Sequence, residues 1–483
     1  MATEDEFSDD YVVLKPKHGG VLDLLRLLWT HDVGKSKFMD VSPGLKIIEF
    51  RRRLIVINSL IMQKALHWLE KPMAWAGSLL EMWLNLLYCN GNFAVLLFRF
   101  FQGKVVMPDK ESAAFVSAIG CLDRRVDLSK DIKIGDCRYI AQLSLMASKI
   151  SYENEAFIKI VVEKRWEMDF LGFYDFWNDY LERFSTQAFM MYDKGIDMVV
   201  VAFRGTSPFD ASDWNTDFDL SWFKLPSINC KVHGGFMKAL GLQKKIGWPK
   251  NIQNNDSTDD DKHSRLVAYY TIREKLKTIL GTNSSTKYIL TGHSLGGALA
   301  ILFPMVLFLH DETWLMERLE GVYTFGQPRV GDEKLCEFME EKLSLYGVKY
   351  YRFVYGYDIV PRLPYDDKAY MFKHFGTCVY YNSFYQGQIV KEEPDKNYSW
   401  LTWQIPKIIN AVWELIRSFI IRFWKGSEYA EGWLLMMYRL FGLLNPGMAD
   451  HALQDYVNAI NLSSSSLLPS SQPLHNTSRL KIN

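Results

Sequence analysis

Ser294 stands at the centre of Tyr288-Ile-Leu-Thr-Gly-His-Ser-Leu-Gly-Gly-Ala-Leu-Ala300, where a β-rich run meets small, helix-compatible residues across Gly292-x-Ser294-x-Gly296. A serine on so sharp a strand-to-helix turn takes a strained backbone conformation that only small neighbours permit, and its hydroxyl then stands clear of the sheet. The pentad alone is common; the strand before it and the small residues after it mark it as a nucleophile elbow. A serine hydroxyl attacks only when a base removes its proton, and an imidazole base needs a carboxylate to fix its tautomer and steady its charge.

Folds built around such an elbow supply the partners in the order Ser, acid, His. Four histidines follow Ser294: His310, His374, His451 and His475. His310 falls on the helix expected after the elbow, and His475 in a serine-rich tail. His451, in Gly447-Met-Ala-Asp-His451-x-x-x-x-Tyr456, follows a Pro-Gly turn as a loop-borne base should; His374, between expected strands, is the alternative and reads as structural. For the acid, Asp358 in Tyr357-Asp-Ile-Val-Pro361 follows an expected strand, Lys349–Tyr355, and Asp332 is the alternative. An oxyanion needs two backbone N–H donors. Leu295, next to the serine, offers one, and Thr206, ending Phe203-Arg-Gly-Thr206 after an earlier strand, offers the other. The segment Ser207 to Phe223, polar residues mixed with Phe209, Trp214, Phe218, Trp222 and Phe223, reads as a lid able to turn apolar residues toward oil.

The elements that must position these groups are legible as an alternation. Helix Ala141–Ser151, strands Ala188–Tyr192 and Met198–Phe203, an amphipathic helix near Leu266–Leu280, strand Tyr288–Thr291, helix Leu295–Leu309 and strands Gly321–Phe325 and Lys349–Tyr355 imply a mostly parallel sheet flanked by helices. Tyr370–Phe372 and Cys378–Tyr381 read as edge strands, and the acidic stretch Asn254–His263 as a solvated loop. Around this unit (139–462) lie a region rich in apolar helix (1–138), an insertion (398–444) and a tail (463–483) that reads as disordered.

Within the first of these, Leu54–Met62, Trp75–Leu87 and Phe93–Phe101 are apolar, but no run reaches the length of a simple spanning helix. Asn90-Gly-Asn92 divides the last two into halves of about a dozen residues, a pattern suited to a re-entrant hairpin within anchoring segments over about 45–101, or to a buried helical hairpin. In the insertion, Ile408, Val412, Leu415, Ile416, Phe419, Ile420 and Phe423 recur at helical spacing, with Lys407, Arg417, Arg422 and Lys425 as the cationic members. Such a helix suits a lipid interface or a protein core.

Composition narrows the function. The 483 residues carry 56 Lys plus Arg against 56 Asp plus Glu, so no global basic field invites nucleic acid. The aromatic content of 14%, with 15 Trp, clusters on both sides of the elbow and points to an apolar partner. Six scattered cysteines form neither a C-x-x-C pair nor a metal-ligand set and read as free thiols; the acidic first ten residues resemble no signal peptide.

Six motifs in order, Val201-Ala-Phe-Arg-Gly-Thr206, Val232-His-Gly-Gly-Phe236, Thr291-Gly-His-Ser-Leu-Gly-Gly297, Tyr323-Thr-Phe-Gly-Gln-Pro-Arg329, Asp358-Ile-Val-Pro361 and Asp450-His451, resemble those of the class 3, fungal-type triacylglycerol lipases. The long apolar region and the insertion depart from compact secreted members and resemble the plant oil-body lipases of that family. The resemblance implies an α/β-hydrolase fold, the triad Ser294, Asp358 and His451, an oxyanion hole at Thr206 and Leu295, and no metal or organic cofactor. It implies hydrolysis of glycerolipid esters, triacylglycerols first, at a lipid-droplet or membrane surface on the cytoplasmic side. Two alternatives remain: a phospholipase A1 or galactolipase using the same triad on polar lipids, and a catalytically silent lipid-surface scaffold.

Overall fold

The computed structural model describes residues 11–29, 36–42, 49–178, 180–225, 227–242, 266–366, 371–398 and 404–468. The acidic amino-terminal stretch, the loop expected over Asn254–His263, His475 and most of the serine-rich tail lie outside them.

Eight strands form the main sheet: Asp169–Asn178 (β1), Arg183–Asp193 (β2), Met198–Phe203 (β3), Lys287–His293 (β4), Leu319–Phe325 (β5), Lys349–Tyr355 (β6), Thr377–Tyr381 (β7) and Gly387–Val390 (β8). They lie side by side in chain order. β3 to β7 pair in parallel, and β1, β2 and β8 are antiparallel margins. The sequence explains why the centre is parallel. Met198-Val-Val-Val-Ala-Phe203 is apolar at every position, and it buries both faces: Val199, Val201 and Phe203 enter one core cluster, Met198, Val200 and Ala202 the other.

Helices cover each face. Tyr139–Ile150 (α3) and Leu453–Leu462 (α8) pack on one side, and Leu295–Leu309 (α5), the helix entered from the elbow, packs on the other. Fourteen of the fifteen residues of α5 are buried, which accounts for its lack of a polar stripe.

A second, six-stranded sheet joins Tyr11–Leu14 and Met39–Val41 to Trp222–Leu225, Cys230–His233, Gly331–Asp332 and Phe372–Lys373. The amino-terminal region is thereby woven into the elbow-bearing unit. Of the two expected edge strands, one lies at an edge, though of this second sheet, and the other is corrected. The strand near Phe372 belongs to this second sheet, and β7 is interior, because β8, whose Gly387-Gln-Ile-Val390 is half-polar, closes the edge.

The apolar amino-terminal runs also fold differently from the expected pair of short halves. Phe50–Asn90 is one helix of 41 residues (α1), followed at Gly91 by a turn and then by Phe93–Phe101 (α2), whose first turn is capped by Asn92. The two axes differ by 79°. Among the described residues no single helix is long and apolar enough to cross a membrane, although this bent pair together meets that length and composition. Among the described residues the pair is not a buried hairpin: Trp68, Trp75, Phe98, Phe100 and Phe101 are exposed, and only Leu96 of α2 is buried.

Beside Ile57, Leu60, Leu66 and Leu84, α1 turns polar groups inward. Asn85 both donates to the Val116 carbonyl and accepts from its N–H, Asn90 does the same with Val106, and the Ser59 hydroxyl donates to the Phe218 carbonyl.

The insertion also turns polar groups inward. Gln404–Trp424 (α6) buries Lys407, Glu414, Arg417 and Ser418, and exposes Ile408, Ile409, Val412, Ile416, Phe419, Ile420 and Phe423. Of the cationic members, Lys407 and Arg417 lie in the interior and Arg422 outside. Trp433–Leu444 (α7) buries Arg439 beside Leu435 and exposes Trp433, Met437, Phe441 and Leu444. The inward charges are paired. Arg417 meets Asp455 at 2.7 Å, and Arg439 meets Glu431 at 2.6 Å, Asp455 at 3.0 Å and Glu414 at 3.3 Å. Charges this deep persist only when so satisfied.

Candidate active site

Ser294 has φ 58° and ψ −129°, the strained left-handed-side geometry of a residue forced between a strand and a helix. The two flanking glycines make that turn possible. A Cβ on Gly292 would collide with the backbone of Gly296, and a Cβ on Gly296 with the backbone of Phe203. The Ser294 N–H donates to the Phe325 carbonyl at the end of β5, which fastens the elbow to the sheet.

At the end of β6, Asp358 sits fully buried, and its Oδ2 lies 2.8 Å from His451 Nδ1. Asp358 Oδ1 accepts from the Val360 N–H at 2.9 Å, and Oδ2 also accepts from the Tyr456 hydroxyl at 2.5 Å. A side chain at position 326 would strike both Asp358 and His451; Gly326, at φ 58°, leaves room for the pair.

The ring of His451 lies 4.4 Å, centroid to centroid, from that of His293, the residue before Ser294. His293 Nε2 is 3.1 Å from the His451 carbonyl, an acceptor only, so that nitrogen carries the proton and Nδ1 accepts from the Tyr152 hydroxyl at 2.8 Å. Burial, reinforced by His451, holds His293 well below the usual imidazole range and keeps it neutral. The structure thus brings the elbow, Asp358 and His451 to the carboxyl ends of β4, β5 and β6, across the whole intervening insertion.

The alternatives are occupied elsewhere. Asp332 caps the helix Glu333–Leu345 through the Leu335 N–H. His374 Nε2 is bonded to the Pro361 carbonyl at 2.6 Å, and burial followed by the charges of Arg352 and Arg329 holds it well below its ordinary value. His310 ends α5 against the Tyr269 hydroxyl.

Leu295 is the first residue of α5, so its N–H belongs to the helix turn that has no internal acceptor. Thr206 is buried, and its hydroxyl donates to Asp217 Oδ2 at 2.6 Å. Asp217 lies on Ala211–Phe218 (α4), the helical part of the segment read as a lid. Burial pushes the Asp217 carboxyl up to about 7 and Asp213, beside Arg204, up to about 6. Helix α4 also packs on α1, where Ser59 holds the Phe218 carbonyl. With Ser294 only 6% exposed, this is a closed arrangement.

Sequence reasoning gave no part to Tyr456, His293, Asp217 or Asp450. Tyr456 was visible five residues after His451, and His293 within the elbow, but neither spacing specifies a contact that only the folded chain creates.

Residues 200–368 match the family model described as Lipase (class 3). The chain is 41% identical to triacylglycerol lipase OBL1 of Nicotiana tabacum, covering 94% of each chain. It is 40% identical to triacylglycerol lipase OBL1 of Arabidopsis thaliana over 94% of this chain and 95% of that one. The native propeptide complex of the Rhizomucor miehei lipase aligns at 25% identity over 51% of this chain and 68% of that one, with a TM-score of 0.36. With relatives this similar over almost its entire length, the chain belongs to the class 3 lipase family.

Proposed function

We propose that this protein hydrolyses acyl esters of triacylglycerols, with Ser294 as nucleophile, His451 as base and Asp358 as its orienting acid. The observation that carries the reading is the 2.8 Å contact between His451 Nδ1 and buried Asp358, with the imidazole lying against the His293 ring of the elbow. Asp358 fixes the tautomer in which Nε2 can accept. Ser294 Oγ attacks the ester carbonyl as its proton passes to His451; the oxyanion is received by the N–H groups of Leu295 and Thr206. The imidazolium then protonates the departing alcohol. Water, deprotonated by the same base, releases the fatty acid and restores the serine.

Substrate preference follows the family and the names of its long relatives, triacylglycerol lipases of two plants. The test is Ser294→Ala on emulsified triacylglycerol, which should lose at least a thousandfold in kcat, the order of loss when a triad member is removed. Undiminished hydrolysis would reject the assignment. The same emulsion assay run beside phospholipid and galactolipid substrates identifies the preferred headgroup; activity confined to polar lipids rejects the triacylglycerol reading.

The place of action we read as a lipid-droplet surface, approached from the cytoplasmic side. The support is the large apolar side chains that α1, α2, α6 and α7 expose, with α6 and α7 burying the charged Lys407, Glu414, Arg417 and Arg439. Such a face favours a hydrocarbon boundary over water.

A further inference from the structure

Asp450, the residue before His451, is 1% exposed, and its side chain does not point at the nucleophile. Its Oδ2 accepts the Tyr357 N–H at 2.5 Å, and Tyr357 is the residue before Asp358. One carboxyl group therefore joins the loop of the candidate acid to the loop of the candidate base. The fit is close: a Cβ on Gly356 would collide with this carboxyl, and Gly356 takes φ 47°. A second tie runs alongside, from the Ile359 N–H to the Gly447 carbonyl at 3.3 Å.

The other side of Asp450 faces the insertion. The Asn410 side-chain amide of α6 lies 3.4 Å from Asp450 Oδ2 and 3.1 Å from Glu414 Oε1. Glu414 in turn accepts from the Tyr355 hydroxyl at 2.8 Å and pairs with Arg439. Arg417 of α6 and Asp455 of α8 complete the charged surroundings. Burial, then the facing Glu414, raises Asp450 well above the usual carboxylate range, so the pair shares a proton instead of opposing two charges.

The geometry points to Asp450 as a positioning residue for the triad, one that braces the Asp358 and His451 loops against each other and hangs both on Glu414 and Asn410 of the insertion helix. The helix whose outer face is apolar is thus bound, through one carboxyl pair, to the segment carrying the imidazole. This rests on His451 being the base. Loss of the brace lets the imidazole drift by a fraction of its own width, a displacement that costs turnover without altering how the ester is held.

The experiment measures kcat and KM on a soluble short-chain ester, together with the rate at which a fluorophosphonate labels Ser294 per folded molecule, in the full-length protein. Asp450→Ala is expected to lower kcat on the order of 100-fold at nearly constant KM and to slow labelling in proportion. Asp450→Asn should restore most of that rate, because its amide still accepts the Tyr357 N–H and still donates toward Glu414. If Asp450→Ala fails to fold, Asn410→Ala, at a half-buried site on α6, loosens the same pair and should lower kcat several-fold at constant KM.

Labelling and kcat at the unaltered level in folded Asp450→Ala, or in Asn410→Ala where that is the variant in hand, overturn the proposal. So does a folded Asp450→Asn as slow as Asp450→Ala, since a neutral brace would then not suffice. A merely structural role lowers the melting temperature and the folded fraction but leaves the labelling rate per folded molecule untouched. Failure of the lipase reading looks different: Ser294→Ala would remain active whatever Asp450 does.

Discussion

Asp358 Oδ2 receives two donors at once, His451 Nδ1 at 2.8 Å and the Tyr456 hydroxyl at 2.5 Å, while Oδ1 is held by the Val360 N–H. A carboxylate buried this deeply is costly unless each lone pair finds a partner, and the tyrosine supplies one that keeps the oxygen aimed at the imidazole. Tyr456→Phe removes only that hydroxyl from a closed site. A hydrogen bond to a charged acceptor contributes roughly 1.5–3 kcal/mol, so kcat should fall about 10- to 100-fold with KM little changed. An unchanged kcat in the folded variant would show that Val360 and His451 hold Asp358 unaided. At this scale the sequence was informative where chemistry restricts residue type: Ser294 by its glycines, His451 by elimination among four histidines. Asp358 could be separated from Asp332 only through family resemblance, because an aspartate after a strand looks the same whether it caps a helix, as Asp332 does, or orients an imidazole.

Among the elements, α4 carries the clearest dependence on pH. Its Asp217 carboxyl, bonded by Thr206 and enclosed without a cation among its described hydrogen-bond partners, is raised by burial from 3.8 to about 7. A carboxyl whose value rises on folding keeps its proton in the folded state over roughly pH 4 to 7 while the unfolded chain has lost it. The packing of α4 is therefore firmest near and below pH 4, weakens as pH climbs to about 7, and then levels off. Asp213, raised to about 6, acts in the same direction. Amide exchange across Ala211–Phe218, corrected for its intrinsic pH dependence, should accelerate from pH 5 to pH 8, and Asp217→Asn should flatten that rise. A flat profile in the unaltered protein would remove this latch. The helical part of that segment was not separable from its loop in the sequence, since Asp210-Ala-Ser-Asp-Trp-Asn-Thr-Asp217 has little helical periodicity. It is helical because Asp210 caps it and α1 packs beside it, both consequences of the assembled fold. The sheet was far more legible, because runs such as Met198–Phe203 must be buried on both faces wherever they occur.

For the whole molecule, one pattern separates what periodicity reveals from what it conceals. The spacing of apolar residues in α6 announced an amphipathic helix, yet not which side faces the protein, and the usual assumption that charge points outward fails for Lys407 and Arg417. Only the acidic partners Asp395 and Asp455, remote in sequence, settle the orientation. With charged groups turned inward on α6 and α7, the outer apolar side chains of these helices stay largely uncovered within the described chain. If they meet a droplet, changing Ile408, Ile416, Phe419 and Phe423 to glutamine should leave the melting temperature and the rate on a soluble ester nearly unaltered, as exposed substitutions usually do. Each side chain is about half to four-fifths exposed and stands to regain part of the roughly 1.5–3 kcal/mol that full burial of a large apolar group provides. Four together should weaken adsorption to a phospholipid-coated triacylglycerol emulsion by on the order of 4 kcal/mol, about a thousandfold, and emulsion turnover should fall with it. Flotation of this variant with droplets as complete as that of the unaltered protein would refute the role of this face. A melting temperature lowered by tens of degrees would refute it too, because the same side chains would then be sealing a protein contact.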